Sequence, residues 1–315
     1  MRTFKLISLA VLLLTITACH NKPTVEELQK FAAPEIYPED TFLDTVANKR
    51  ALIIVAHDDD DCMMSGTIAI LTSNGWTIRQ LSFETHNIPG ENRNPAYIIC
   101  EGSEKILEDG LYRPGVDTVK YPYMPIPYEE IEKQFLREKV ADAIITRIND
   151  FNPSVIFTMD NIKGGYGHPD HIFLSQLVLD LFNEGKISAQ WIYQSVLTKH
   201  LETEIDKYMT PKMEKWGYPQ ASPAANELYG IDGMPEADVQ INITNQAEIK
   251  MTYLRAYPEN VRKNLRKFFI YYEDFEAETY FSVWNREFFR IIKNNTKPLT
   301  KNIVHAAVSN TQTKN

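Results

Sequence analysis

Residues 51–66 read ALIIVAHDDDDCMMSG. Six apolar residues, Ala51 to Ala56, run straight into His57 and four aspartates, Asp58 to Asp61, before apolar spacing resumes with Met63, Met64, Ile68, Ile70 and Leu71. A short continuous apolar run closed by a polar turn reads as a strand buried on both faces, and the residues after it as the crossover helix a parallel strand requires. The acidic cluster therefore falls at a strand's carboxyl end, where open α/β sheets bind ligands. Imidazole beside carboxylate suits zinc and related divalent cations.

A second stretch about a hundred residues on, Val155 to His171 (VIFTMDNIKGGYGHPDH), repeats the plan: apolar strand, glycine-rich loop, then histidines and an aspartate opening a helix. Pro169 suits a first helical turn, and Asp170 favours the positive end of the helix dipole. His168 and His171 are three apart, so one turn of helix brings both towards one face. Neither motif holds a full ligand set, but together they make a three-ligand site.

The pair His57-Asp58-Asp59-Asp60 and His168-Pro169-Asp170-His171 resembles the signature of the LmbE-like, or N-acetylglucosaminyl-phosphatidylinositol de-N-acetylase (PIG-L), family of zinc-dependent deacetylases. The resemblance runs over roughly residues 48–290, because the segments from Ala237 to Lys250 and from Tyr253 to Tyr257 also look like the family's closing strand and helix. It implies metal ligation of Zn2+, or another divalent metal, by His57, Asp60 and His171. It makes Asp59 the general base, His168 the oxyanion-stabilising partner and Asp170 the orienter of His168. The substrate it implies is a small amino sugar or glycoconjugate carrying an N-acetyl group. Two departures stand out: Asp58 and Asp61 occupy positions where the family motif has proline and glutamate. The family also carries a substrate-contacting arginine before a Glu-Ala pair after the second strand. Here the comparable segment, Ile98-Ile99-Cys100-Glu101-Gly102, has none, and Arg93 lies nearby.

Strands and helices alternate through most of the chain, which predicts an α/β fold, Rossmann-like, with a mostly parallel sheet and helices on both faces. The pattern predicts strands over Thr77–Phe83, Val155–Met159, Trp191–Leu197 and Val239–Ile243. It predicts helices over Glu101–Asp109, Glu129–Phe151, His168–Glu184 and Lys250–Tyr257. From Lys199 to Asp232, with Pro211, Pro219 and Pro223, the pattern is irregular and suits a lid or a wall. The segment Tyr121 to Tyr128 suits either a sugar-stacking surface or a proline-rich edge.

At the start, Arg2 and Lys5 precede an apolar run and the small residues before Cys19. This is a secretory signal, too short to span a membrane. The cysteine after it resembles a bacterial lipobox, which implies cleavage before Cys19 and lipid attachment there. The expected organisation is a lipoprotein signal peptide at 1–18, lipidated Cys19 and a tether to residue 47, one domain over 48–292, and a polar tail over 293–315. The expected location is the cell envelope outside the cytoplasm, with membrane contact only through that lipid.

The chain has 33 basic and 42 acidic residues, a formal charge of −9, and loss of Arg2 and Lys5 takes it to about −11. An acidic chain with no basic run argues against nucleic acid and against electrostatic docking on anionic lipid. Cys62 and Cys100 are too few for a disulfide scaffold, and Cys62 reads as a small buried side chain.

Two histidines and one carboxylate leave a coordination position open for water, the arrangement of a catalytic site. Asp59 is then placed to take the water's proton, and a protonated His168, favoured by Asp170, to meet the oxyanion. Asp58 and Asp61 are expected outside the ligand set or facing solvent, and His86, after the second strand, could line the pocket. A carbohydrate-binding lipoprotein without turnover, and a metal-dependent hydrolase of another bond, are the alternatives.

Overall fold

The computed structural model describes residues 22–108, 110–115 and 124–293. The signal segment, Cys19, Tyr121–Tyr123 and nearly all of the C-terminal tail lie outside them. Among the described residues one seven-stranded sheet has the order β3-β2-β1-β4-β5-β7-β6. The strands are β1 (Arg50–Ile54), β2 (Thr77–Ser82), β3 (Ser103–Lys105), β4 (Val155–Met159), β5 (Trp191–Val196), β6 (Val239–Asn242) and β7 (Arg286–Lys293). The first five run parallel, and β7 returns antiparallel between β5 and β6. The fold is therefore α/β with a mostly parallel sheet flanked by helices.

Alternation along the strands divides the core in two. Ala51, Ile53 and Val55 join one apolar cluster, and Leu52, Ile54 and Ala56 the other. Every second side chain of a strand takes the opposite face, so a run without polar interruptions demands a layer on each side. The chain leaves β1 towards β2 on one side and enters β5 from β4 on the other. The carboxyl ends of β1 and β4 therefore flank the topological switch point, where a crevice opens.

The helix Ser65–Ser73 has no side-chain cap of its own. Glu287 of β7 serves instead: its two oxygens accept the N–H groups of Gly66 at 2.8 Å and Thr67 at 2.7 Å, and Lys250 Nζ lies 2.5 Å from Oε1. A carboxylate there satisfies orphan donors and the helix dipole together. Gly66 is required by close approach, since a Cβ would stand 2.8 Å from Ile243.

Four expectations change. Residues 24–46 are not a free tether: Leu28 and Phe31 are core residues, and Arg286 donates to the carbonyl oxygens of Ala33 and Glu35. His200 adds to that hold, with its N–H on Glu35 at 2.8 Å. Over the described residues 101–108 the expected helix Glu101–Asp109 is absent, and Ser103–Lys105 form the edge strand β3, paired with β2 after Gly102 takes φ +100°. The expected helix Glu129–Phe151 breaks before Arg137, because Phe135 turns extended and its ring stacks on Phe173 at 3.9 Å. The irregular stretch 199–232 contains the helices Lys199–Lys215 and Ala221–Tyr229. Pro211 sits inside the first of these, where Leu201, Ile205 and Met209, four apart, bury one face and offset the lost backbone bond. Among the described residues no helix is long and apolar enough to cross a membrane.

Candidate metal centre

The loop after β1 is held by its buried acids. Asp58 and Asp61, expected outside the ligand set or facing solvent, are both fully buried. The Asp58 carboxylate accepts the backbone N–H of His86 at 2.6 Å and meets His86 Nδ1 at 2.7 Å. The Asp58 carbonyl accepts from Gln80 Nε2, Tyr257 Oη and Tyr253 Oη at 3.0, 2.6 and 3.2 Å. Asp61 accepts from Tyr253 Oη, and burial holds its carboxyl well above the usual range. Neither carboxylate reaches the cavity, so both lie outside the ligand set but not in solvent.

With the loop gripped from beneath, His57, Asp59 and Asp60 are presented to the crevice. The backbone N–H of His57 donates to Asp60 Oδ2 at 2.8 Å, which folds the carboxylate back beside the imidazole.

The loop after β4 is built by a different acid. Asp160 Oδ1 accepts the N–H groups of Ile162 and Lys163 at 3.0 and 2.6 Å, and Oδ2 that of Gly165 at 3.0 Å. Gly164 has φ +60° and lies so close to Ile172 that a Cβ would stand 2.6 Å from its side chain. That conformation suits glycine. Its result is that the Gly164 carbonyl meets His171 Nδ1 at 3.0 Å. Nδ1 must be the donor in this bond, so His171 Nε2 carries the lone pair.

That lone pair points at the first loop. His171 Nε2 is 3.2 Å from His57 Nδ1 and 3.1 Å from Asp60 Oδ1, and His57 Nδ1 is 3.4 Å from Asp60 Oδ2. Metal–ligand bonds of about 2.0–2.1 Å in a tetrahedral site put ligand atoms about 3.3 Å apart. The three groups thus sit at the mutual spacing of three ligands around one small cation. Charge agrees: burial opposes the ionised form of Asp60, yet His171 and His57 hold it well below the usual carboxylate range. Burial likewise opposes protonation of His57, but Asp60 raises it to about 10. The carboxylate calls for a positive charge between the rings, which a cation supplies as well as a proton.

His168 also lies close. Ligand atoms of His57, His168 and His171 fall within 4.8 Å of one another, a group able to hold a metal. The ring planes separate their roles. A nitrogen lone pair lies in its ring plane; His168 and His171 stack at 14° and 4.4 Å, whereas His57 and His171 meet at 61°. Near-parallel planes do not converge on one ion.

The expected protonated His168 is corrected. Its Nδ1 accepts the backbone N–H of Asp170 at 3.1 Å, capping the helix Pro169–Asn183, so the ring proton is on Nε2. Burial, with His171 and His57 nearby, also pushes its basicity well below the ordinary value. His168 is a neutral N–H donor. Asp170 orients it through the backbone, while the Asp170 carboxylate stands 4.0 Å from His168 Nδ1 and 3.8 Å from His57 Nε2.

That carboxylate accepts from Arg113 Nη1 at 2.6 Å. Arg113 is buried, held by Gln134 and laid over the Phe135 ring at 5.1 Å. No periodicity or motif marks residues 111–114 in the sequence, which leaves Arg113 without a sequence signal. Arg93 pairs with Glu91 in an exposed turn and does not line the cavity.

The centre opens into a cavity of about 600 Å³. Asp59 lies in its floor, where burial and then Asp60 lift its carboxyl to about 7. The helix Lys199–Lys215 supplies a wall with Ile205, Met209 and Met213, and Phe268 and Tyr166 close the far side. Tyr128 stacks on Tyr229 and does not line the cavity. His86 does, with Glu84. Cys62 and Cys100 are both free thiols, Cys62 buried.

Known proteins share similarity with this chain. The family model described as PIG-L, GlcNAc-PI de-N-acetylase, matches residues 52–182. A 1D-myo-inositol 2-acetamido-2-deoxy-alpha-D-glucopyranoside deacetylase of Mycobacterium sp. (strain JLS) is 22% identical over 247 residues, covering 67% of this chain and 74% of the relative. Among solved structures, the N,N'-diacetylchitobiose deacetylase of Pyrococcus horikoshii is 17% identical with a TM-score of 0.42, over 82% of this chain and 93% of that one. The 4-carboxy-2-hydroxymuconate hydratase GalB of Pseudomonas putida KT2440 is 11% identical with a TM-score of 0.42, over 79% and 98%. Residues 52–182, which contain all six of His57, Asp59, Asp60, His168, Asp170 and His171, carry a PIG-L family domain.

Proposed function

We propose that this protein is a zinc-dependent hydrolase that removes the N-acetyl group from an amino sugar or its conjugate. The observation that carries the reading is the triangle of His57 Nδ1, Asp60 and His171 Nε2, with edges of 3.1 to 3.4 Å. His57, Asp60 and His171 would hold the ion. When bound, zinc supplies Lewis acidity to an amide carbonyl and makes water more acidic.

The remaining work falls to side chains. Asp59, next to the ligand Asp60 and with its carboxyl lifted to about 7, takes a proton from the attacking water and returns it to the departing amine. His168 Nε2–H donates to the oxygen on which negative charge develops, and its neutral state suits it to donate without giving up the proton. Asp170 fixes the His168 tautomer through its N–H, and Arg113 holds Asp170 in place. The apolar wall around Met209 and Phe268 excludes water from the reacting bond. Amide and water give amine and acetate, so atoms balance.

The cavity lining sets Asp59, Asp60, Glu84, Glu202 and Asp206 against Lys267, a balance that favours a neutral or cationic substrate over an anionic one. Cys19, by the same proposal, carries the lipid that keeps the protein at the cell envelope, and a Cys19→Ser variant would lose labelled-lipid incorporation. The activity is tested by acetate release from N-acetylated amino sugars. Release that stops with chelator and returns with zinc supports the reading; release indifferent to chelator contradicts it.

A further inference from the structure

The chemistry above leaves one built feature of the cavity unused. His86 stands in the wall beside Glu84, its side chain about one quarter exposed at 27%. Asp58 grips it at two points, the backbone N–H at 2.6 Å and Nδ1 at 2.7 Å. Asp58 itself is fully buried, next in sequence to His57, with its carbonyl held by Gln80, Tyr253 and Tyr257. Such a carboxylate fixes both the ring orientation and the tautomer of its histidine. With Nδ1 turned to Asp58, the Nε2 edge is left to the cavity.

The location limits what Nε2 can meet. The segments that hold His86 and His57 are paired directly, through a bridge between His57 and Glu84. A group touching His86 therefore lies close to the amide being cut, not at the distant end of a conjugate. On an amino sugar the free polar group adjacent to the amide-bearing carbon is a ring hydroxyl.

We propose that Asp58 and His86 form a binding dyad in which His86 Nε2 hydrogen-bonds the substrate hydroxyl vicinal to the scissile amide, with Asp58 acting as its positioning residue. The inference rests on the proposed deacetylation and names a specificity contact for it. It selects substrates with a free hydroxyl at that carbon over analogues lacking one. A site built to bond a hydroxyl leaves its own polar group unpaired when the hydroxyl is missing.

The test uses the zinc-loaded protein with methyl N-acetyl-glucosaminide and its 3-deoxy analogue, measuring kcat and KM separately, zinc content and thermal midpoint. His86→Ala is expected to raise KM roughly tenfold or more, as for loss of one strong hydrogen bond, with zinc content unchanged. His86→Gln should recover part of the loss, and Asp58→Asn should weaken binding in wild type but not further in His86→Ala. The 3-deoxy analogue should lose a similar factor with wild type and nothing more with His86→Ala. Unchanged KM in His86→Ala, or an equal further loss with the deoxy analogue, would overturn the dyad. If wild type releases no acetate from either sugar, the deacetylase reading fails. Calorimetric binding of the same two sugars to wild type and His86→Ala then decides the dyad by itself: equal affinity for all pairs rejects it.

Discussion

The two strand-end loops of the centre are built on opposite plans. The loop after β1 is charged, and its shape comes from aspartates buried against tyrosine hydroxyls, Gln80 and His86. The loop after β4 is glycine-rich, and its shape comes from one carboxylate, Asp160, gathering three backbone N–H groups. The first delivers negative charge, in Asp59 and Asp60. The second delivers a tautomer, because the Gly164 carbonyl fixes the lone pair of His171. A cation needs both, so neither loop makes the centre alone.

That division orders the expected effects of mutation. The largest separate the loops by kind. His171→Ala should lose zinc and lower turnover by about 10³ or more, since the ligands act as a unit. Asp59→Asn should lower kcat by about 10² to 10⁴ with zinc content intact. If Asp59→Asn also lost the metal, the first loop would be supplying ligation and not proton transfer at that position.

A smaller effect comes from the scaffold of the second loop. Asp160→Ala leaves three N–H groups without their carboxylate and frees the Gly164 carbonyl from its place. Zinc affinity should fall about 10- to 100-fold, the usual scale for a partner one shell out. Zinc titration by competition with a chromophoric chelator reads this directly, and an unchanged affinity would mean that His171 holds its tautomer without the loop.

The smallest lies under the first loop. Tyr253→Phe removes the hydroxyl shared by Asp61, the Asp58 carbonyl and Tyr257. The buried acceptors left behind should destabilise the fold by about 1–3 kcal/mol in denaturant unfolding, with kcat little changed. A large loss of kcat at full stability would place Tyr253 in the chemistry.

What the sequence made legible follows the same contrast. Both strand ends could be read because their apolar runs stop abruptly at chemistry-bearing residues, and the spacing inside each motif survives into the structure. The parallel half of the sheet was legible through its alternation with helices. The antiparallel return of β7 was not, because Arg286–Lys293 pairs with strands far away in sequence and has no turn signal of its own. Asp58 and Asp61 read as lying outside the ligand set or facing solvent because aspartate is seldom buried without partners, and those partners, His86 for Asp58 and Tyr253 for Asp61, are remote in sequence. Arg113 was hidden for a related reason: a guanidinium that serves Asp170 through space leaves no periodic trace in an irregular segment. The helix Lys199–Lys215 was masked by Pro211, a breaker that tertiary burial of Leu201, Ile205 and Met209 overrides.

The central claim is that one cation is held by His57, Asp60 and His171, with His168 beside it as a donor. X-ray absorption at the zinc edge of the loaded protein tests this most directly. The expected result is two imidazole nitrogens with the remaining ligands oxygen, unchanged in His168→Ala. Three imidazoles, with one lost in His168→Ala, would contradict it and make His168 a ligand.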